Sequence, residues 1–146
     1  IKDYLLDSRR HFFAKTLLIE IMIDQQVDED MEVEKFGAYY HINPSYMPLV
    51  LAQDVYQGIG QYLENALEND NPTMFEQCMD YLEYFLYAYY PKEIYDDEYN
   101  VVAASIHYYV ATLQSYDIDM SDLEVTYYCD ESQIQGVVLL LKQIEV

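Results

Sequence analysis

Apolar side chains recur at three- and four-residue spacing along most of this chain, a period that selects helices over strands. In residues 2–26 the residues Leu5, Leu6, Phe12, Phe13, Leu17, Ile19, Met22 and Ile23 follow it, with no Gly or Pro between them, which predicts one long helix. Residues 27–45 lose the period. Asp28, Glu29, Asp30, Glu32 and Glu34 precede Phe36, Tyr39, Tyr40 and His41, and the segment reads as a loop with one short helix. Asn43-Pro44-Ser45 then opens a helix to about Asn69, because Asn is a good N-cap and Pro suits the first helical position, with Pro48 still in the first turn. Gly58 and Gly60 weaken its middle and suit close packing against a neighbour.

The punctuation repeats at Asn71-Pro72-Thr73, where Thr73 and Glu76 have the spacing of a capping box. The helix that follows runs to about Tyr90, with Phe75, Cys78, Met79, Leu82, Phe85, Leu86 and Tyr89 as its stripe, and Pro91 ends it. Two similar openings do not establish a solenoid; shared helix-start chemistry accounts for them. Asp96, Asp97 and Glu98 complement the positive end of a further helix reaching about Ser115, with Val102, Ile106, Tyr109, Val110 and Leu113 inward. Ser121 and Glu124 form another capping-box spacing, and Leu123–Cys129 fits a strand or a short helix equally. A last helix spans 132–144 with Ile134, Val137, Val138, Leu141 and Ile144 as its stripe. The expectation is one all-α domain over residues 1–146, an irregular bundle of five or six helices.

Charge narrows the function classes. The chain carries 27 acids and 7 bases, a net charge of −20. Lys2, Arg9, Arg10 and Lys15 fall in the first fifteen residues; from residue 16 onward all the acids except Asp3 and Asp7 face Lys35, Lys92 and Lys142. Such a field repels nucleic acid and anionic lipid and steers basic proteins inward. Arg9 and Arg10 are expected to pair with carboxylates of the chain itself. No segment has the length and apolarity of a membrane span or a signal peptide. Cys78 and Cys129 do not make a disulfide framework, so reduced thiols and a cytoplasmic setting are expected.

Catalytic patterns are missing. Gly58-Ile59-Gly60 lacks the third glycine and preceding strand of a dinucleotide loop. Ser8, Ala38 and Ala104 stand three residues before His11, His41 and His107, where a di-iron bundle needs Glu. Asp117, Asp119 and Ser121 begin like a calcium loop, but Asp122 and Tyr128 occupy its essential Gly and Glu positions. Cys78 and Cys129 read as small buried hydrophobes. No catalytic residue, cofactor or metal is expected.

The 18 tyrosines interleave with acids most densely between Asp80 and Tyr99. Tyr84, Tyr87, Tyr90 and Tyr95 suit interface anchors, and Glu83, Glu93, Asp96, Asp97 and Glu98 a charged rim. Here the segment Tyr89-Tyr90-Pro91-Lys92-Glu93, followed by Asp96 and Asp97, resembles the Tyr-Tyr-Pro segment of the nuclease-colicin immunity proteins, small acidic helical inhibitors of bacterial toxins. The resemblance implies that Tyr89 and Tyr90 are binding hot spots. It departs at Leu86, where the family carries Asp, and in the length of the third helix. The expected function is a non-enzymatic inhibitor that occludes the cationic surface of a basic toxin, most simply a nuclease domain. The alternatives are a nucleic-acid mimic acting against a defence system and a helical metal-carboxylate enzyme.

Overall fold

In the computed structural model, which describes residues 2–46 and 53–144, helix starts follow the chemistry of the first turn. Helix α4 (Pro72–Tyr89) is capped by Asn71, whose side chain accepts from the Met74 N–H at 3.1 Å, with Pro72 at the first position. Helix α6 (Met120–Tyr127) is capped by Asp119, which accepts from the Ser121 N–H at 3.0 Å. Neither Thr73 nor Ser121 is the cap. The cap lies two residues earlier in each case, an Asn or Asp whose side-chain oxygen accepts from the first turn, and Glu124 instead accepts from the Glu131 N–H at 2.8 Å. That contact joins α6 to α7 (Glu131–Gln143), where Gln133 reaches back to the Asp130 N–H at 3.0 Å. Leu123–Tyr127 is thus helical, not strand.

Two further helices complete the larger part, α3 (Gln53–Leu67) and α5 (Tyr99–Leu113), the latter entered through a 3-10 turn at Asp96–Glu98. Helices α3, α5 and α7 form a row in which each packs on the next; α4 lies against α3 and α5, and α6 against α5 and α7. At the centre of the row α5 is buried on several sides, with Ala103, Ala104, Ser105 and Ala111 allowing close approach beside Val102, Ile106, Tyr109 and Val110. Both α3 glycines sit at contacts. A Cβ on Gly58 would come within 2.5 Å of the Tyr99 ring, and one on Gly60 within 2.7 Å of the Met79 methyl.

Residues 2–42 differ from expectation. The long first helix is two helices, α1 (Lys2–Asp7) and α2 (Phe12–Asp24). Ser8 Oγ accepts from the Arg10 N–H at 3.1 Å, and His11 takes a left-handed conformation (φ 59°), so a local side-chain bond replaces the helical ladder. The loop holds an antiparallel hairpin, β1 (Met31–Lys35) with β2 (Ala38–Ile42), in register Val33 opposite Tyr40. Its two-residue turn, Phe36-Gly37, has both φ angles positive, 54° and 82°, as a tight hairpin turn requires. The fold is therefore mostly helical but not all-α: seven α-helices and one two-stranded sheet among the described residues. Asn43–Tyr46 forms a turn in which Asn43 accepts from the Ser45 N–H at 3.0 Å; the rest of the expected helix start, 47–52, lies outside the described residues.

Helix α1 packs on β1 and α2, and α2 on α4. The hairpin is bolted to α4. Phe36 contacts Phe12 (ring centroids 5.4 Å) and Tyr89 (5.9 Å), and the Lys92 ammonium lies 5.3 Å from the Phe36 ring. Lys35, fully buried, donates to the Tyr87 and Ala88 carbonyls at 3.1 and 2.8 Å at the negative end of α4. Lys15, also fully buried, pairs with Glu34 at 3.0 Å. Arg9 and Arg10 remain exposed, and among the described residues neither guanidinium makes the ion pair expected for it.

Candidate functional site

The acid–tyrosine segment is divided among three surroundings. Glu93, Tyr95, Asp96 and Asp97 come together in an open groove between the 3-10 turn and α3. Two adjoining depressions, about 710 and 380 Å³, share Asp96 and Tyr99. Helix α3 supplies Asp54, Gly58, Gln61, Tyr62 and Asn65 to their walls. Four carboxylates (Asp54, Glu93, Asp96 and Asp97) and three tyrosines (Tyr62, Tyr95 and Tyr99) line them, and no basic side chain does. Tyr95 is 60% exposed. Burial, then Asp96 and Asp54, push the Tyr99 hydroxyl above its ordinary pKa, which places both carboxylates within electrostatic reach of that ring.

Glu83, Tyr84 and Tyr87 lie elsewhere, toward α2. Tyr87 is half-buried, and its pKa is raised by burial and then by Asp24, Glu20 and Glu83. Glu20 is raised by burial, then Asp24 and Glu83, so these carboxylates form a second acidic patch across α2 and α4. Tyr84 is half-buried and donates to the Ile144 carbonyl at 3.1 Å, tying α4 to the end of α7.

The Tyr-Tyr-Pro segment occupies the third setting. Tyr90 is 3% exposed and belongs to the core, so it is not available as a contact anchor as it stands. Tyr89 is half-buried, stacked on Phe85 (5.3 Å) and against Phe36, with Lys92 over its ring at 5.4 Å. Burial raises its pKa, followed by Glu98 and Tyr40, which puts Glu98 on the hairpin side and outside the groove lining. Sequence reasoning missed Asp54, Gln61, Tyr62 and Asn65. Their spacing, with Gly58, puts them on one face of a helix, and that was the available signal.

The chemistry candidates do not assemble. Burial pushes the Cys78 thiol up to about 12, so it is not a thiolate at neutral pH. His107 receives or donates a 2.8 Å bond at the buried Tyr127 hydroxyl, and burial lowers its pKa to about 4. Asp119 is engaged in capping α6. Among the described residues no three His, Cys, Asp or Glu side chains converge to hold a metal, and no helix is long and apolar enough to cross a membrane.

Comparison with known proteins adds one relative. No protein family matches the chain, and no solved structure does. The chain is 24% identical, over 148 aligned positions covering 99% of its own length, to the TPR repeat-containing protein YsoA of Bacillus subtilis (strain 168), of which it spans 43%.

Proposed function

We propose that this chain is a protein-interaction module of stacked helix pairs whose groove beside α3 receives a basic segment of a partner protein. The observation that carries the reading is the groove lining itself: four carboxylates and three tyrosines with no base among them. Tyrosine rings give contact area at low entropy cost, and the carboxylates steer and orient a cationic segment.

The helix-pair part of the reading draws on the relative's name and on two features of this chain. TPR repeats pack helices pairwise and carry a Trp-x2-Leu-Gly-x2-Tyr pattern in the first helix of the pair. Tyr56, Ile59, Gly60 and Leu63 hold those four positions in α3: the glycine is kept, Tyr for Trp and Ile for Leu keep the side-chain class, and Leu replaces the aromatic Tyr. Gly60 is where α3 meets Met79 of α4. The row of α3, α5 and α7 is what stacking such pairs produces. On this reading the protein is a scaffold and not an enzyme.

The narrower reading is an immunity-type inhibitor that covers the cationic site of a toxin nuclease in the cytoplasm. The net charge and the position of Tyr95, Asp96 and Asp97 in the groove support it; the core position of Tyr90 leaves it one fewer anchor than the resemblance implies.

The test starts from the partner that co-purifies with the chain from native cells. Asp54→Lys and Asp97→Lys should each weaken its binding by an order of magnitude or more, added salt should slow its association, and Glu83→Lys, in the other acidic patch, should leave binding near the native value. Binding that survives both groove substitutions, or falls equally with Glu83→Lys, would refute the groove as the site.

A further inference from the structure

The groove beside α3 is two depressions, and each repeats the same pair of chemistries. The one toward the start of α3 has the carboxylates of Asp54 and Glu93 with the ring of Tyr95. The one further along has the carboxylate of Asp97 with the ring of Tyr62. Asp96 and Tyr99 belong to both, and the Tyr99 ring, seated against Gly58, is a fixed wall common to the two. Among the described residues none of Asp54, Glu93, Asp96 and Asp97 makes an ion pair, so their charge is left to a ligand.

A carboxylate alone accepts lysine and arginine alike, whereas a carboxylate beside an aromatic ring does not. The guanidinium is planar and weakly hydrated, so it stacks on a ring while its fork donates to an acid at the ring's edge. The ammonium is a compact, strongly hydrated charge that gains less from the ring. The guanidinium also brings more N–H donors than the ammonium, and the further depression has an uncharged acceptor for one of them. Gln61 Nε2 donates to Asn65 Oδ1 at 3.0 Å, which leaves the Gln61 carbonyl oxygen to accept. Spacing follows from α3. From Asp54 to Asn65 the helix advances about 16 Å at ~1.5 Å per residue, a length that about five residues of extended chain cover at ~3.3 Å each. In an extended chain alternate side chains face the same way. We infer that the groove takes an extended segment with arginines at alternate positions, one guanidinium in each depression on either side of Tyr99. The inference rests on the groove being the receptor of a basic segment, and it adds which base, how many and at what spacing.

Fluorescence anisotropy of labelled peptides of equal charge against the full chain tests it. The probes are Gly-Ser-Arg-Ser-Arg-Ser-Gly, the same peptide with lysine at both basic positions, and Gly-Ser-Arg-Arg-Ser-Ser-Gly. The first should bind about tenfold tighter than either of the others, because lysine forgoes the rings and adjacent arginines point to opposite sides. Tyr62→Ala and Tyr95→Ala each remove an exposed ring from a different depression. Each should weaken the first peptide by roughly fivefold and leave the lysine peptide within about twofold. Tyr116→Ala, at an exposed ring outside the groove lining, should change neither. Equal binding of the arginine and lysine peptides, both lost with Asp54→Lys and Asp97→Lys, would overturn the choice of arginine while the basic-segment reading stands. Equal binding of the alternate and adjacent arginine peptides would overturn the occupation of two depressions. Failure of the first peptide to bind at millimolar concentration would overturn the inference too, with the co-purified partner still deciding whether the groove is a site. Binding of every peptide that survives both groove lysines would sink the inference and the groove together.

Discussion

Residues 2–42 and residues 53–144 reach burial by different means. The larger part buries aliphatic, aromatic and small side chains along helical stripes, and its buried polar groups are neutral and hydrogen-bonded, as when the Ser105 hydroxyl donates to the Val101 carbonyl at 2.7 Å. The smaller part buries two lysines and a glutamate and leaves Thr16 Oγ1 without a partner among the described residues. One region is stabilised by many interchangeable contacts and the other by a few that must all be made. Buried ions cost desolvation free energy that only good geometry offsets, so the smaller part depends on its partners more than on its area.

Four substitutions or titrations bear on that contrast. Lys15→Met should have the largest effect, about 3–5 kcal/mol of destabilisation by denaturant melting, because Glu34 is left charged and buried. Adding Glu34→Leu should recover most of that loss; if it does not, the pair is not what holds the hairpin. Leu82→Ala in α4 should cost about 2–5 kcal/mol, with no second site that rescues it, since a cavity has no single missing partner. A pH series should separate the regions next. Burial and then the charge of Lys15 lower Lys35 to about 7 from an ordinary 10.5. Between those values the unfolded chain binds the proton and the folded chain does not, so the Lys35 contribution to stability grows as pH rises and is lost as pH falls through about 7. The slope is at most about 1.4 kcal/mol per pH unit and should vanish in Lys35→Met. Thr16→Val should have the smallest effect, neutral to about 1 kcal/mol stabilising, because it removes a buried hydroxyl that has nothing to bond.

The same contrast explains what the sequence discloses. The stripes of α4, α5 and α7 are legible because apolar period and burial coincide: Cys78, Leu82, Phe85, Ile106, Val110, Ile134 and Leu141 all sit inward as their spacing predicts. The break at Ser8–His11 is fainter, since no Gly or Pro marks it and its one trace is the polar run Asp7–His11, which leaves no apolar side chain between Leu6 and Phe12. The hairpin leaves a faint trace in the alternation of Met31-Glu32-Val33-Glu34, but its Phe36-Gly37 turn lacks the usual Asn or Asp, and the burial of Lys35 and Glu34 inverts the usual reading of charge. Half of the groove is readable from the acid–tyrosine run of Glu93–Asp97. The other half comes from α3, about forty residues earlier in the chain, and the packing of α3 on α5, with Tyr99 over Gly58, brings the two together.

That last contact gives the groove a hard floor. Tyr99 is the first residue of α5, and its ring rests where α3 has no side chain to yield. A ligand pressing on the ring cannot be accommodated by a rotamer change beneath it; the push passes to the opening turn of the most enclosed helix in the molecule. Occupancy should therefore register as slowed amide exchange along α5, far from any atom the ligand touches.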